Sequence, residues 1–417
     1  MGTSDVLWAE VDGEGRLVVP AEVVEAYGLT PGARARLELE KDNLRLHRPV
    51  THLAKLYVEP TNRCNIECRT CMRQGWDTEL GKMSDETFER ILGSVAKISP
   101  RPTVFFGGIG EPLFHPGTID MVGRAKATGA TVELITNGIL LNEERARGLI
   151  AAGLDTLWVS IDGASPESYA DVRLGAELPT VLENMKRFRK LRPPAHRPKP
   201  VIGIAFVAMK RNLDDLPKVL ALGRSLGAKL FMVSNVLPHT EEMAQETLYN
   251  RVLSDIAYLP SAWLPEVNLP KMEMNETTRT PFFEALNRKL NVTYAGNNFG
   301  GANDVCVFIE SGSLAIGWDG SVSPCPPLLY NHVQYLNGWR RLSKRHIVGD
   351  VGQVDLLSIW RDPEYVAYRE RVQSFAFPPC TFCGGCDLLD SNEEDCLGNE
   401  FPVCGGCLWA QAVIRCP

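Results

Sequence analysis

The sequence predicts an α/β protein with a parallel sheet at its centre. Amphipathic stretches of helical period alternate with short apolar runs that have the character of strands. Two of these stretches run from Asp85 to Ile98, behind the N-cap candidate Ser84, and from Leu213 to Leu226. Alternating strands and helices form βα units, whose strands run parallel. The six strand-like runs are Leu56 to Pro60, Thr103 to Gly107, Thr131 to Thr136, Thr156 to Ile161, Val201 to Met209 and Lys229 to Asn235.

Length and composition are those of a multidomain enzyme. The chain has 417 residues, a formal net charge of -7 and a pI near 5.7. This length predicts about three domains, and the acidic balance argues against nonspecific binding to nucleic acid. The sequence has no apolar run of about 18 residues that would cross a bilayer, and its N-terminus lacks a signal-peptide core. We therefore expect a cytoplasmic protein whose 12 cysteines are reduced and available to metals.

Three cysteines follow the first strand-like run with the spacing CxxxCxxC. They are Cys64, Cys68 and Cys71. Three thiolates in one short loop can ligate three irons of a 4Fe-4S cube and leave the fourth iron open to an exogenous ligand. A half-formed zinc site is the competing interpretation of such a spacing.

A glycine-rich motif follows the second run. It reads Gly107-Gly108-Ile109-Gly110-Glu111-Pro112. Glycines let the backbone approach a ligand closely, and the carboxylate can accept hydrogen bonds from a cationic amino group. An ordinary turn after a strand is the alternative.

The third and fourth runs end in small polar residues. Asn137-Gly138 follows one, and Ser160-Ile161-Asp162-Gly163 follows the other. A parallel sheet places its chemistry at the carboxyl ends of its strands, where all of these motifs lie.

Together these motifs resemble the radical S-adenosylmethionine (SAM) superfamily. The resemblance implies a partial (β/α)6 TIM-like barrel, a 4Fe-4S cluster on Cys64, Cys68 and Cys71, and SAM chelating the open iron. Thr70 departs from the family pattern, in which the residue before the third cysteine is commonly aromatic and lies near the adenine. By resemblance, the cofactor-binding residues are Gly107, Gly108, Gly110, Glu111, Asn137, Ser160, Asp162 and Arg173.

The last third of the chain carries nine more cysteines. The spacing from Cys306 through Gly320 to Cys325 resembles the opening of the SPASM domain, which implies two auxiliary 4Fe-4S clusters. Two cubes need eight thiolates, so one cysteine is spare or one ligand is not a cysteine. A zinc ribbon is the alternative interpretation, because the CxxC pairs Cys383/Cys386 and Cys404/Cys407 are separated by seventeen residues. The nine candidate metal ligands are Cys306, Cys325, Cys380, Cys383, Cys386, Cys396, Cys404, Cys407 and Cys416.

The first fifty residues resemble the AbrB/SpoVT swapped-hairpin fold, with a short helix ending at Tyr27. Folds of this kind usually bind DNA, but this segment has nine acidic residues against six lysines and arginines. We therefore expect it to dock a protein or peptide, with a purely structural role as the alternative. The predicted domains are residues 1–50, an AbrB-like unit, 51–300, the radical SAM core, and 301–417, the SPASM-like unit.

Over its whole length the chain resembles radical SAM/SPASM maturases associated with tungsten oxidoreductases of the aldehyde ferredoxin oxidoreductase type. The resemblance implies reductive cleavage of SAM to a 5'-deoxyadenosyl radical and modification of a cofactor, protein or peptide. It also implies a tungsten oxidoreductase or a small peptide as partner and a ferredoxin or flavodoxin as electron donor. The alternatives are a ribosomal-peptide-modifying SPASM maturase and a DNA-binding iron-sulfur redox regulator.

Other parts of the sequence say less about chemistry. Asn235 and His239 follow the last strand-like run and are candidates for the mouth of the barrel. The segment from Glu241 to Asn303 contains no recognisable motif, and we identify no general base.

Overall fold

The computed structural model describes most of the chain and leaves gaps mainly between residues 250 and 304. The described residues are 7–40, 43–75, 78–196, 198–249, 266–269, 275, 277–278, 281, 291–294, 297–298, 305–336, 338–378, 380–381, 386–411 and 413–416. No helix within these ranges is both long and apolar enough to cross a bilayer.

The N-terminal unit consists of two short hairpins around a helix. Its elements are β1 (Glu10–Val11), β2 (Leu17–Val18), α1 (Ala21–Tyr27), β3 (Leu37–Glu40) and β4 (Asn43–Leu46), with β1 antiparallel to β2 and β3 antiparallel to β4. The helix ends at Tyr27, as predicted, and Gly28 terminates it with a φ of 64°. Several large apolar side chains of this unit face solvent, including Trp8 (82% exposed) and Leu39 (88% exposed). Its assignment to the AbrB type stays a prediction.

The core is a sheet in which six parallel strands lie side by side in chain order. These strands are β5 (Lys55–Val58), β7 (Thr103–Phe106), β8 (Thr131–Thr136), β9 (Thr156–Ser160), β11 (Val201–Ala208) and β12 (Leu230–Asn235). Two shorter strands, β6 (Glu67–Cys68) and β10 (Arg173–Leu174), pair beside them. Each predicted strand is present, with ends within two residues of the prediction. The chain is therefore α/β, with the predicted order of parallel strands.

Helices cover one face of this sheet. They are α2 (Asp85–Val95), α3 (Thr118–Ala127), α4 (Glu143–Ala151), α5 (Pro166–Val172), α6 (Leu178–Leu191), α7 (Leu216–Ser225) and α8 (Glu241–Gln245). Ser84 caps α2 as predicted, since its Oγ accepts a hydrogen bond of 3.0 Å from the Thr87 amide. The predicted helix from Leu213 begins as a 3-10 turn and becomes α-helical only at Leu216. Leu56 and Val58 are fully buried in the resulting core.

The C-terminal third continues the same sheet. The strand β16 (Ser313–Ile316) lies parallel to β5, followed by β17 (Ser321–Ser323) and β20 (Gly349–Asp350), both antiparallel to their neighbours. The sheet therefore runs across the predicted domain boundary at residue 300. The remaining elements are β13 (Glu266–Leu269), β14 (Asn291–Tyr294), β15 (Asn297–Asn298), α9 (Val307–Glu310), the hairpin of β18 (His332–Leu336) and β19 (Trp339–Ser343), α10 (Leu356–Trp360) and α11 (Pro363–Ser374).

Candidate active site

The three cysteines of the CxxxCxxC motif line one cavity at the carboxyl ends of the parallel strands. The loop that carries them leaves β5, and Cys68 pairs with Arg173 across the small β6–β10 ladder. The backbone turns back on itself, with the Cys71 amide 3.1 Å from the Cys68 carbonyl oxygen. The cavity has a volume of about 270 Å³ and is lined by Cys64, Cys68 and Cys71. The three thiols therefore face one shared space.

Polar groups surround these thiols. The Asn137 Nδ2 lies 3.8 Å from the Cys64 Sγ, and the Arg173 Nη1 lies 3.8 Å from the Cys68 Sγ. Burial raises the pKa of the Cys71 thiol to about 11 and also raises the pKa of Cys68. The thiols of Cys68 and Cys71 are therefore protonated at neutral pH in the metal-free protein, and loading a metal must release their protons.

The glycine-rich segment is clamped against the chain that enters the cysteine loop. The Gly107 amide donates to the Val58 carbonyl at 3.0 Å, and the Glu111 amide donates to the Arg63 carbonyl at 2.9 Å. A Cβ atom on Gly110 would lie 2.1 Å from the Thr61 carbonyl oxygen. Only glycine allows this close approach, so the two motifs form one rigid wall of the cavity.

A buried carboxylate holds the middle of the glycine segment. Glu59 follows β5 and is 1% exposed, and its Oε1 accepts a 2.8 Å hydrogen bond from the Ile109 amide. Its Oε2 accepts a hydrogen bond from the hydroxyl of Tyr330, which comes from the C-terminal third. Burial raises the pKa of Glu59 to about 7. This pair was not predicted, because nothing in the local sequence pattern links residues that lie 271 positions apart.

Glu111 is fixed by three donors within the same region. Its Oε1 accepts from the Leu113 amide at 3.0 Å and from the Thr136 hydroxyl at 2.7 Å, and its Oε2 accepts from the Asn137 amide at 2.7 Å. Burial raises its pKa. Each carboxylate oxygen offers two lone pairs, so Oε2 keeps room for one more donor from the cavity.

Asp162 and Arg173 form a buried ion pair. The Asp162 Oδ2 accepts from the Arg173 Nε at 2.8 Å and from Nη2 at 2.7 Å, and its Oδ1 accepts from the Val207 amide at 2.8 Å. Asp162 is fully buried, whereas Arg173 lines the cavity. The carboxylate therefore orients the guanidinium that faces the cavity.

Six of the eight predicted cofactor-binding residues line this cavity. They are Gly108, Gly110, Glu111, Asn137, Ser160 and Arg173. Gly107 and Asp162 lie behind it and support the lining through the contacts described above. Thr70 is part of the wall, and the apolar lining comes from residues that sequence analysis did not single out. Among them are Ile109, Leu237 and Trp409.

A second cavity of about 260 Å³ shares part of this wall and extends into the barrel. Tyr57 and Phe105 line it, with ring centroids 5.2 Å apart. The segment that ends in Cys416 closes one side, because the Asn235 Nδ2 donates to the Val413 carbonyl at 2.9 Å. Asn235 and Cys416 line the cavity, whereas His239 is buried and directs its Nδ1 to the Leu237 carbonyl at 3.1 Å.

Four of the C-terminal cysteines line a third cavity. They are Cys306, Cys325, Cys404 and Cys407. Its volume of about 40 Å³ exceeds the space that one water molecule needs. Burial raises the pKa of Cys404 to about 12, and neighbouring thiols add to the rise at Cys306. Cys386 and Cys396 are exposed, Cys416 lies at the second cavity, and Cys383 is outside the described residues.

The third cavity also holds a buried cationic side chain. Arg341 lines it and is 3% exposed, yet its Nε and Nη1 have no hydrogen-bond partner among the described residues. A buried guanidinium needs a counter-charge. Within the described ranges, no three His, Cys, Asp or Glu side chains converge closely enough to hold one metal ion. A thiolate-ligated 4Fe-4S cube carries net negative charge and spreads its ligands around its volume.

Comparisons with known proteins agree with this geometry. Residues 58–222 match the radical SAM superfamily, and residues 306–387 match the SPASM iron-sulfur cluster-binding domain. The tungsten-containing aldehyde ferredoxin oxidoreductase cofactor-modifying protein of Pyrococcus furiosus is 33% identical over 368 residues, which cover 87% of this chain and 96% of that protein. The chain therefore belongs to the radical SAM superfamily, among its members with a SPASM domain.

Solved structures share the fold at low sequence identity. The structure of anSMEcpe with bound AdoMet and the Kp18Cys peptide has a TM-score of 0.53 at 18% identity, over 86% of this chain and 96% of that one. Streptococcus suis SuiB bound to the precursor peptide SuiA has a TM-score of 0.51 at 16% identity, over 83% of this chain and 72% of that one. The predictions of a radical SAM/SPASM enzyme that uses SAM and iron-sulfur clusters are confirmed.

Proposed function

We propose that Cys64, Cys68 and Cys71 ligate the SAM-binding 4Fe-4S cluster. We further propose that the glycine-rich motif and the polar strand ends, which line the same cavity, bind SAM. The observation that carries this proposal is that the three thiols share one cavity with the glycine segment and the polar strand ends. When bound and reduced, the cluster would supply the one electron that cleaves SAM to methionine and a 5'-deoxyadenosyl radical, which would take a hydrogen atom from the substrate.

The residues of this wall bind and orient the cofactor. Glu111 Oε2 has capacity for the SAM amino group, because only the Asn137 amide occupies it among the described donors. Asp162 holds the Arg173 guanidinium beside Cys68, where its charge balances thiolates. Substrate then occupies the adjoining second cavity, whose aromatic and aliphatic lining excludes water around the reacting atoms.

For the C-terminal third we propose auxiliary clusters rather than zinc. Cys306, Cys325, Cys404 and Cys407 are the ligands of one cluster, since they surround one cavity that also holds an unpaired guanidinium. The second cluster draws its ligands from the remaining cysteines. These are Cys380, Cys383, Cys386, Cys396 and Cys416. Cys416 is the spare thiol of this set, because it lines the second cavity.

We further propose that the modified partner is a tungsten-containing oxidoreductase or its cofactor, with electrons supplied by a ferredoxin or flavodoxin. The support is the 33% identity to a cofactor-modifying protein of that system over nearly its whole length. The exposed apolar side chains of the N-terminal unit, Trp8 and Leu39 among them, suit docking to a protein surface. A short precursor peptide is the alternative partner.

The test of the core assignment removes the three cysteines together. Replacing Cys64, Cys68 and Cys71 with alanine should abolish formation of 5'-deoxyadenosine under dithionite. The iron content should fall by about four per chain, and the iron of the C-terminal clusters should stay. That remaining iron is the internal control for folding. SAM cleavage by the triple variant at the wild-type rate would refute the assignment.

A further inference from the structure

The β18–β19 hairpin turns a polar face inwards. Its buried residues alternate along both strands, as a half-buried hairpin requires. Apart from Leu336 they are polar, namely His332, Gln334, Arg341 and Ser343. Gln334 and Arg341 are directly opposite each other in the ladder. All four residues line the third cavity, together with Cys306, Cys325, Cys404 and Cys407. The hairpin therefore presents hydrogen-bond donors to the same space as the thiols.

Arg341 is the one charged residue of this inward face. It is 3% exposed, and neither its Nε nor its Nη1 has a hydrogen-bond partner in the described part of the chain. It forms no ion pair within the described ranges, and the groups of opposite charge that act on it are the thiolates of Cys380, Cys407 and Cys404. A buried charge is strongly unfavourable without compensation. The described residues supply no counter-charge, whereas an anionic group held by those thiols would supply one.

The loop from Cys404 to Cys407 packs closely around this guanidinium. A Cβ atom at Gly406 would lie 1.6 Å from the Arg341 Nη1, so a side chain at position 406 would displace the guanidinium from this place. A Cβ atom at Gly405 would lie 2.3 Å from the Pro378 carbonyl oxygen and 3.1 Å from the Cys380 Sγ. The Gln334 Nε2 also donates to the Gly406 carbonyl at 3.3 Å. The hairpin and the Cys404–Cys407 loop are thus built against each other.

We propose that Arg341 is the charge partner of the auxiliary cluster on Cys306, Cys325, Cys404 and Cys407, and that it raises the reduction potential of that cluster. This inference rests on the cluster assignment made above. One-electron reduction by the external ferredoxin-class donor adds one negative charge to the cluster without a proton. A fixed guanidinium beside it stabilises the more negative state, and its N–H groups can donate to cluster sulfur.

The test compares substitutions on one strand of the hairpin in the cluster-loaded, full-length protein. Arg341→Met removes the charge, and Arg341→Lys keeps it. Arg340→Met is the matched control, because Arg340 precedes Arg341 on β19 and is exposed. The readouts are iron per chain and the midpoint potential from a redox titration followed by electron paramagnetic resonance.

We expect Arg341→Met to move one midpoint potential to a more negative value, Arg341→Lys to stay close to wild type, and Arg340→Met to change nothing. Loss of about four iron from Arg341→Met but not from Arg341→Lys would also support the role of the charge. The proposal is overturned by an unchanged potential in Arg341→Met, or by equal iron loss in both variants at position 341. Zinc in place of auxiliary iron in the wild type would instead refute the cluster assignment itself.

Discussion

The contact between Tyr330 and Glu59 predicts that the C-terminal third stabilises the glycine segment of the SAM cavity. Glu59 accepts hydrogen bonds from the Tyr330 hydroxyl and from the Ile109 amide within the glycine segment. Tyr330→Phe removes the hydroxyl and nothing else. The buried carboxyl group then loses a donor that no water can replace, since Glu59 is 1% exposed.

Leaving a buried polar group without its partner costs about 1–3 kcal/mol. If that cost appears as easier local opening of the glycine segment, amide exchange there should accelerate about 5- to 150-fold. Hydrogen exchange followed by mass spectrometry on peptides covering residues 107–111 measures this directly. Tyr249→Phe is the matched control, because its hydroxyl donates to the Val236 carbonyl at 3.0 Å, away from this segment. Unchanged exchange in Tyr330→Phe would show that the Tyr330 hydroxyl does not stabilise this segment.

The same contact gives a pH dependence. Burial raises the pKa of Glu59 from 4.5 to about 7. The folded state therefore favours the neutral carboxyl group, whose contribution to stability is complete below pH 4.5 and is lost as the pH rises through about 7. Hydrogen bonds to an ionised acceptor are stronger than those to a neutral one. The loss of stability caused by Tyr330→Phe, relative to wild type, should therefore grow from pH 6 to pH 8. Glu59→Gln should abolish this growth.

Three further predictions follow from the site. Asp162→Asn leaves Arg173 buried without its counter-charge and should lower the free energy of unfolding by about 3–5 kcal/mol, measured as a lower melting temperature. The control is Asp171→Asn, which removes an exposed ion pair and should lower that free energy by at most about 1 kcal/mol. Glu111→Gln should weaken SAM binding about 10- to 150-fold in anaerobic equilibrium dialysis, because a charge-assisted hydrogen bond is lost; equal affinity would contradict the assignment. Leu39→Asp should spare uncoupled SAM cleavage and impair modification of the partner protein, whereas Leu397→Asp, also exposed, should affect neither.

Local patterns predicted the parallel core and most of its site. The apolar runs and the Ser84 cap are signals carried by neighbouring residues, so strand and helix ends were predicted within a few residues. The cysteine and glycine motifs lie at strand ends, and parallel strands bring those ends together. Six predicted cofactor contacts therefore share one cavity.

The parts that the sequence did not reveal depend on contacts between distant segments. Tyr330 contacts Glu59 although more than half of the chain separates them. Arg341 lies against the Cys404–Cys407 loop, and the β18–β19 hairpin that carries it has no recognisable motif. The addition of β16 to the central sheet is likewise a long-range pairing. The role of Asp162 as a cofactor-binding residue stays a prediction from resemblance, whereas its ion pair with Arg173 was not predicted.

The measurement that tests the account most directly is the metal content of the anaerobically reconstituted wild-type chain. A SAM-binding cluster and two auxiliary clusters predict about 12 iron per chain and no stoichiometric zinc. About four iron together with stoichiometric zinc would contradict the account of the C-terminal third and restore the zinc-ribbon interpretation.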